Sequence, residues 1–422
     1  MAEYYRKGTE AGFANPQSVA DGGYQGKYIE VGGVKSIDLT RLDYLSLGQN
    51  GLVRDIMIDC INSFDIGCPS SQMAMKTGST VKLEKTLSAM HGMNDSLIFL
   101  NGYSANLNVI QALGMRMRTS HLAPYIRMAG LRKSGSGVPT EFIIDGESHY
   151  SLIEGMKNAR FAAKNNCRMH KYPTEDYGRL VEILKRSVKE HGDHVIRIIV
   201  SDTVSSMSGR VYDVQILCEI AEEFGCMLYL DEAHAIGSMG KEGCGISSTV
   251  RNYEKYKDRL LVMGTLTKAV SQLGGYVSVP SEELGCFLRC ASPHYIFSAP
   301  LPPWMAEAVV RILEMIRGEY GEKERKKLVA VSAYMRDKLS QNDFNIMGSN
   351  SQIIPIFGGE EEVSFRTRMY LQEKGFTTAV FENPAVPKGK SIVRFSLCSD
   401  ITFDEVDEMV EHLLTARKMF GI

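Results

Sequence analysis

The chain has 422 residues, 44% of them hydrophobic and 9% aromatic, so it can bury a large core as two or three domains or as one large domain with a smaller appendage. With 48 Lys and Arg against 50 Asp and Glu the net charge is −2, and no overall basic field argues for nucleic acid or an anionic membrane. Nine cysteines occur without a Cys-x-x-Cys pair, which fits reduced, mostly buried thiols rather than a disulfide framework or a metal site; no metal is expected.

The first residues, Met1 to Lys7, lack the apolar core of a signal peptide, and no run approaches the roughly 20 apolar residues of a membrane span, so the expected location is the cytoplasm. Residues 1 to about 35 are rich in Gly, Tyr and polar types, with turn signals at Asp21-Gly22-Gly23 and Gly32-Gly33; an irregular arm or short hairpin is expected within an N-terminal arm over 1–52. Val53, Ile56, Met57, Cys60, Ile61 and Phe64 then fall at helical spacing, and Gly67-Cys68-Pro69 ends that helix. Gly78-Ser79 with Leu83, Leu87 and Met90 reads as a capped amphipathic helix. Leu97 to Leu100 reads as a strand leading into Asn101-Gly102-Tyr103-Ser104-Ala105-Asn106. Strand, glycine turn and helix start make a phosphate cradle, because amides at a helix N-terminus point at the anion; the turn at Gly102–Ser104 can equally be a tight turn and nothing more.

Between about 114 and 140 lies a basic insertion, with Arg116, Arg118, His121, Arg127, Arg132 and Lys133 but no acid until Glu141. A solvated surface loop is the commoner outcome for such a segment; phosphates of an acyl carrier are the functional alternative. Phe142 to Asp145 is a further short strand, followed by a helix start at Ser148-His149-Tyr150-Ser151, where His149 is placed either as an ordinary first-turn residue or to stack on an aromatic cofactor ring. The pattern continues with a helix about 174–190, a strand Val195 to Ser201, a helix about 213–224, and strands at 226–231 and 260–264. Such alternation predicts a mostly parallel sheet covered by helices on both faces, here a large domain over 53–303. After Pro302-Pro303 a long amphipathic helix from about 304 to 340 opens an α+β domain over 304–422. There Ser351 to Ile356, a helix near 362–374, a strand pair ending at Val393 to Leu397 and a last helix about 402–419 follow.

The centre of the pattern is Met227-Leu228-Tyr229-Leu230-Asp231-Glu232-Ala233-His234, an apolar strand delivering Asp231 and His234 to the carboxyl edge of the sheet, where open α/β folds bind ligands. A second such strand runs into Thr265-Leu266-Thr267-Lys268. Each half alone is ambiguous: Asp-Glu-Ala-His can be a metal box or a helix cap, and a lysine after Thr is commonly solvated. Together they point to pyridoxal phosphate, with Lys268 for the aldehyde and Asp231 for the pyridine nitrogen.

These blocks, with Asp43-Tyr44-Leu45, Asp145 and His149, Ser206-Met207-Ser208-Gly209, Phe297-Ser298 before Pro302-Pro303, and Val386-Pro387 with Arg394, resemble the α-oxoamine synthase family of fold-type I pyridoxal phosphate enzymes. Its members include 5-aminolevulinate synthase, 8-amino-7-oxononanoate synthase, serine palmitoyltransferase and autoinducer synthases, and the likeness runs from about Leu42 to the C-terminus. It implies an α/β fold with a mostly parallel seven-stranded sheet, helices on both faces and a smaller C-terminal α+β domain. It further implies decarboxylative condensation of an α-amino acid with an acyl thioester, on coenzyme A or a carrier protein, and a homodimer. By the same resemblance Lys268 holds the cofactor, Asp231 pairs with its ring nitrogen and His149 stacks on the ring. His234 and Ser206 reach the phenolic oxygen; Gly102, Tyr103, Ser104, Thr265 and, from the other subunit, Ser298 serve the phosphate. Arg394 grips the substrate carboxylate.

The chain departs from the family at Leu42, where Asn is common, at Glu382-Asn383, where several members carry Arg, and at Pro69 to Gly78, which replaces a glycine-rich acyl-site loop. A specialised or signalling aminoketone is therefore the preferred product class. Aldol cleavage or transamination on the same residues, and a regulatory paralogue that keeps the fold, stay open; neither G-x-G-x-x-G after a strand nor a P-loop is present.

Overall fold

A computed structural model describes residues 20–68, 70–114, 139–163, 167–383 and 385–422. The basic segment from Arg116 to Lys133 lies outside the described residues, as does the chain before residue 20. Two compact units form: Leu52–Ser205 with Tyr212–Glu322, and Met1–Gly51 with Ser206–Val211 and Lys323–Ile422.

The larger unit is built on a seven-stranded sheet in the order Asp95–Phe99, Gly275–Val279, Leu260–Thr265, Met227–Asp231, Ile196–Asp202, Thr140–Asp145, Cys167–Tyr172. Pairing is parallel from the Leu260 strand through to the Cys167 strand, while Gly275–Val279 runs antiparallel to both its neighbours. The central strands are apolar without interruption because both faces are covered. Successive residues point to opposite faces: Ile198, Val200, Tyr229, Leu261 and Met263 enter one core with the helices Gly102–Gly114 and Tyr150–Ala162. Ile199, Leu228, Leu230, Leu260 and Val262 enter the other with Tyr177–His191 and Val214–Glu223. A one-residue slip would exchange the two sets, so the register is strongly specified. All parallel strands then end on one edge, and Asp145, Asp202 and Asp231 are the terminal residues of three of them.

Two strands do not follow from the sequence pattern. Cys167–Tyr172 is an edge strand whose middle residues Arg168, His170 and Lys171 face outward or sit half-buried, so it lacks an apolar run. Gly275–Val279 is fully buried but begins at a glycine that other chain approaches closely: a Cβ there would lie 2.4 Å from the Asn101 carbonyl carbon. The expected single helix over about 304–340 is corrected to two, Pro303–Arg317 and Glu319–Gln341. Gly318 turns extended between them (φ −83°, ψ −167°), and the second helix starts so tightly against the first that a Cβ at Gly321 would lie 1.8 Å from the Ile316 carbonyl oxygen.

The smaller unit carries an antiparallel sheet in which Ser391–Ser396 lies between Ile353–Gly359 and Ala379–Phe381. Its N-terminal part is a hairpin, Tyr28–Val31 with Val34–Asp38, extended in parallel by Phe376–Thr377. The last helix, Phe403–Phe420, starts at a capping box in which Thr402 and Glu405 satisfy each other's end of the backbone, and stops at Gly421 in the left-handed region. Six of the nine cysteines are buried. Among the described residues no helix is long and apolar enough to cross a membrane.

Candidate active site

In the larger unit the carboxyl edge of the sheet gathers Asp231, His234, Lys268 and His149. The strand ending at Asp231 turns at once, with the Ala235 amide bonded to the Glu232 carbonyl at 2.9 Å, and this turn aims His234 back over the edge. Lys268 follows the neighbouring strand after Leu266, whose amide is held by the Gly274 carbonyl at 2.9 Å. The Lys268 Nζ and His234 Nε2 lie 2.8 Å apart, with His234 only 5% exposed. Glu232 does not face this cluster's chemistry: Thr203 and the Ile246 and Ser247 amides occupy its carboxylate, which makes it a buried anchor for the loop that follows.

Asp231 is buried at 3% exposure; its Oδ2 accepts from Asn106 Nδ2 at 2.7 Å and its Oδ1 from the Ala233 amide at 2.9 Å. His149 caps the helix Tyr150–Ala162, its Nδ1 accepting the Ser151 amide at 3.3 Å, and its own amide donates to Asp202 Oδ1 at 3.2 Å. Burial lowers the His149 pKa, the Lys268 charge adds to that, and Asp231 opposes it, so these three groups lie within electrostatic reach of one another.

The helix Gly102–Gly114 starts at the same edge. Asn101 caps it, its Oδ1 taking the Ser104 amide at 2.8 Å. A side chain at 102 would press on Thr265, 3.1 Å from its Cβ, so glycine lets the helix N-terminus and the Thr265 hydroxyl converge. That hydroxyl lies 2.8 Å from the Thr267 hydroxyl. Tyr103 is 41% exposed; its ring meets His149 edge-on at 6.2 Å and its hydroxyl bonds Glu154. Ser298 follows the helix Pro293–Phe297, and its hydroxyl donates to the neighbouring Ala299 carbonyl at 3.4 Å.

The other two expected residues fall together in the smaller unit. Arg394 is 8% exposed in the strand Ser391–Ser396 and donates from Nη1 to the Ser206 carbonyl at 2.9 Å. Its guanidinium lies over the Phe381 ring at 4.4 Å, and its Nε has no hydrogen-bond partner. Burial lowers its pKa while Tyr44 pulls the other way.

Asn106, Ser151, Tyr229 and Asp202 belong to the cluster without having been assigned a role from the sequence. Asp202 carried a usable signal, since it ends an apolar strand as Asp231 does. The other three had none, because their partners are 45 to 125 positions away in the chain.

The donor set on this edge fits pyridoxal phosphate: an amine beside an imidazole, a buried carboxylate, and a capped helix N-terminus with a hydroxyl nearby. The family pattern described as aminotransferase class I and II matches residues 135–413. An 8-amino-7-oxononanoate synthase of Citrifermentans bemidjiense is 27% identical over 401 residues, 95% of this chain and 94% of that one. A putative 8-amino-7-oxononanoate synthase of Haemophilus influenzae is 29% identical over 398 residues, 93% and 95% of the two chains. The structure of serine palmitoyltransferase from S. paucimobilis, solved with PLP and myriocin bound, superposes with a TM-score of 0.84 at 20% identity, covering 100% of this chain and 97% of that one. That last likeness speaks to the fold, and it bears out the α/β transferase architecture expected from the motifs. A pattern spanning most of the chain places it in one family: the chain belongs to the aminotransferase class I and II family.

Proposed function

We propose that this chain is an α-oxoamine synthase: it binds pyridoxal phosphate and joins an α-amino acid to an acyl thioester with loss of carbon dioxide. The observation that carries the reading is the Lys268 amine 2.8 Å from the His234 ring, with buried Asp231 at the end of the adjacent strand. When bound, pyridoxal phosphate supplies a sink for the electron pair left when a bond to the amino acid's α-carbon breaks. Lys268 would hold the cofactor's aldehyde carbon and, once displaced by the substrate amine, take the α-proton as general base and return a proton to the same carbon. Asp231, ionised and hydrogen-bonded, would keep a proton on the ring nitrogen. His234, already bonded to Lys268, is placed to orient that amine and to donate to the phenolic oxygen or the thioester carbonyl. His149 would stack on the ring. Ser206 would serve the phenolic oxygen, and Gly102, Tyr103, Ser104 and Thr265 the phosphate, joined by Ser298 of a second copy in a homodimer. Arg394 would bind the carboxylate of the amino acid.

The reaction balances as follows: amino acid, acyl thioester and one proton give aminoketone, carbon dioxide and thiol. A carbon–carbon bond forms at the α-carbon, the thiolate leaves and takes a proton, and the bond to the carboxylate breaks.

Borohydride reduction of the purified protein, followed by peptide mapping, should place a pyridoxyl group on Lys268; a label on another lysine removes the assignment. Carbon dioxide should be released from a carboxyl-labelled amino acid only when an acyl thioester is present. An aminotransferase or aldolase would instead yield a keto acid or an aldehyde without the thioester, and a regulatory paralogue would take no label. A panel of amino acids against acyl donors, read by product mass, distinguishes a primary from a specialised aminoketone. An active monomer by light scattering would remove the dimer.

A further inference from the structure

We propose that Asn106 and Ser151 form a hydrogen-bonded line from Asp231 to His149 that fixes His149 as the neutral tautomer with its proton on Nε2. This rests on the reading above only in what it assigns to His149, the stacking on a cofactor ring; the line itself is a property of the chain.

The direction of each hydrogen follows from the donors available. The Tyr229 hydroxyl donates to Asn106 Oδ1 at 2.8 Å. That contact orients the amide, because the opposite rotamer would turn its oxygen toward the Asp231 carboxylate and leave two acceptors facing each other. The Asn106 NH2 group then points one hydrogen at Asp231 Oδ2, 2.7 Å away, and the other at Ser151 Oγ, 3.0 Å away. Ser151 accepts there, which leaves its own hydrogen for His149 Nδ1 at 2.7 Å. The Ser151 amide donates to the same Nδ1 at 3.3 Å. An imidazole nitrogen that accepts from two donors carries no proton, and in the neutral ring the proton is therefore on Nε2.

Burial makes this arrangement firm. Tyr229 and Ser151 are 0% exposed and Asn106 1%, so water does not compete for the bonds that Asn106 makes, and an unmade bond there would leave a desolvated polar group. The charges acting on the His149 ring are those of Asp231 and Lys268, while Asp202 accepts from its backbone amide; burial and Lys268 favour the neutral ring and Asp231 disfavours it. Asn106 meets part of the Asp231 charge with one N–H and turns the other toward Ser151, so the carboxylate is joined to His149 through donors rather than directly. The consequence for a stacked cofactor is direct: a neutral imidazole offers its face to a positively charged ring, whereas an imidazolium would repel it.

Selective 15N-histidine labelling of the cofactor-free full chain tests the assignment, with the His149 signals identified by their loss in His149→Gln. The expected result is a pyridine-type Nδ1 and a pyrrole-type Nε2 in the unsubstituted chain, a shift toward mixed tautomers in Ser151→Ala and in Asn106→Ala, and restoration in Ser151→Thr, which keeps the hydroxyl. A pyrrole-type or averaged Nδ1 in the unsubstituted chain overturns the inference, as does a Ser151→Ala spectrum identical to it. In the loaded protein, Ser151→Ala should weaken cofactor retention about tenfold, the value of one hydrogen bond of about 1.4 kcal/mol, and Ser151→Thr should recover it. The predicted tautomer with retention unchanged in Ser151→Ala upholds the line and removes the stacking role of His149, so the two readings fail separately.

Discussion

Asp202 and Asp231 stand opposite each other in register at the ends of adjacent parallel strands, 2% and 3% exposed, and two carboxylates so placed do not both ionise at low cost. Burial, then the Asp231 charge, pushes the Asp202 pKa well above the usual carboxylate range. Asp231 has an Asn106 N–H and a backbone amide on its oxygens, and it is Asp202 that holds its proton to a higher pH in the folded chain.

The stability of the folded chain should record that proton. With the Asp202 pKa raised on folding, its stabilising contribution is fully present below the ordinary carboxylate pKa and declines as pH rises toward the folded value, because the folded state retains a proton the unfolded chain has lost. Asp202→Asn, which resembles the protonated acid, removes the decline. Thermal midpoints from pH 5 to 8 should therefore move in favour of Asp202→Asn as pH rises. Parallel curves for the two proteins would show that Asp202 is ionised.

Gly209 closes the Ser206-Met207-Ser208-Gly209 block with φ at +66°, and a Cβ there would lie 1.9 Å from the Ile353 carbonyl oxygen and 2.8 Å from the Ser349 hydroxyl. The chain thus requires glycine for both conformation and space. Gly209→Ala should destabilise the smaller unit by more than the roughly 1 kcal/mol of a left-handed alanine alone, since backbone must move as well. Denaturant unfolding measures it. A loss within about 0.5 kcal/mol, typical of surface changes, would mean that the segment shifts freely.

That block shows how far the sequence could be read. Strand runs ending at Asp231 and near Lys268 were legible because central parallel strands need unbroken apolar runs and their ends need the chemistry. The basic edge strand Cys167–Tyr172 and the buried Gly275–Val279 were not, because one has a single covered face and the other a composition dominated by a close glycine contact. The break at Gly318 was hidden by helical spacing that continues on both sides of it. At the site, residues that make chemistry were legible by type, while Asn106 and Ser151, which aim them, act through partners that only the folded chain brings near.

His91 offers a second pH signature. It is 4% exposed, its Nε2 lies 2.9 Å from the Tyr276 hydroxyl, and burial pushes its pKa down to about 4. A histidine lowered on folding leaves the unfolded chain binding more protons between its ordinary value of about 6.5 and the folded one. Stability tied to His91 is therefore complete above that window and is lost as pH falls through it, by a few kcal/mol. His91→Gln, which keeps a hydrogen-bonding group without a titration, should be less stable than the unsubstituted chain at pH 7.5 but lose less on going to pH 5. An equal loss in both proteins would place the acid sensitivity elsewhere.

The proposed anchoring role of Arg394 follows from what surrounds it. Among the described residues no carboxylate pairs with this guanidinium; one carbonyl and the face of Phe381 hold it, and its Nε is unbonded. A buried cation so thinly compensated is costly, and the Phe381 ring offsets only about 1–2 kcal/mol of that. A substrate carboxylate would supply the missing charge and acceptors, in the forked geometry that guanidinium suits and ammonium does not. Losing a buried charge-assisted contact costs roughly 2–4 kcal/mol, so Arg394→Leu should raise the amino-acid dissociation constant about 30- to 800-fold. Arg394→Lys should fall between, keeping charge without the fork, and Phe381→Leu should weaken binding by a smaller factor through loss of the ring face. Titration of the amino acid against the visible band of the loaded protein reads all three, and a dissociation constant unchanged in Arg394→Leu would take the carboxylate away from this residue.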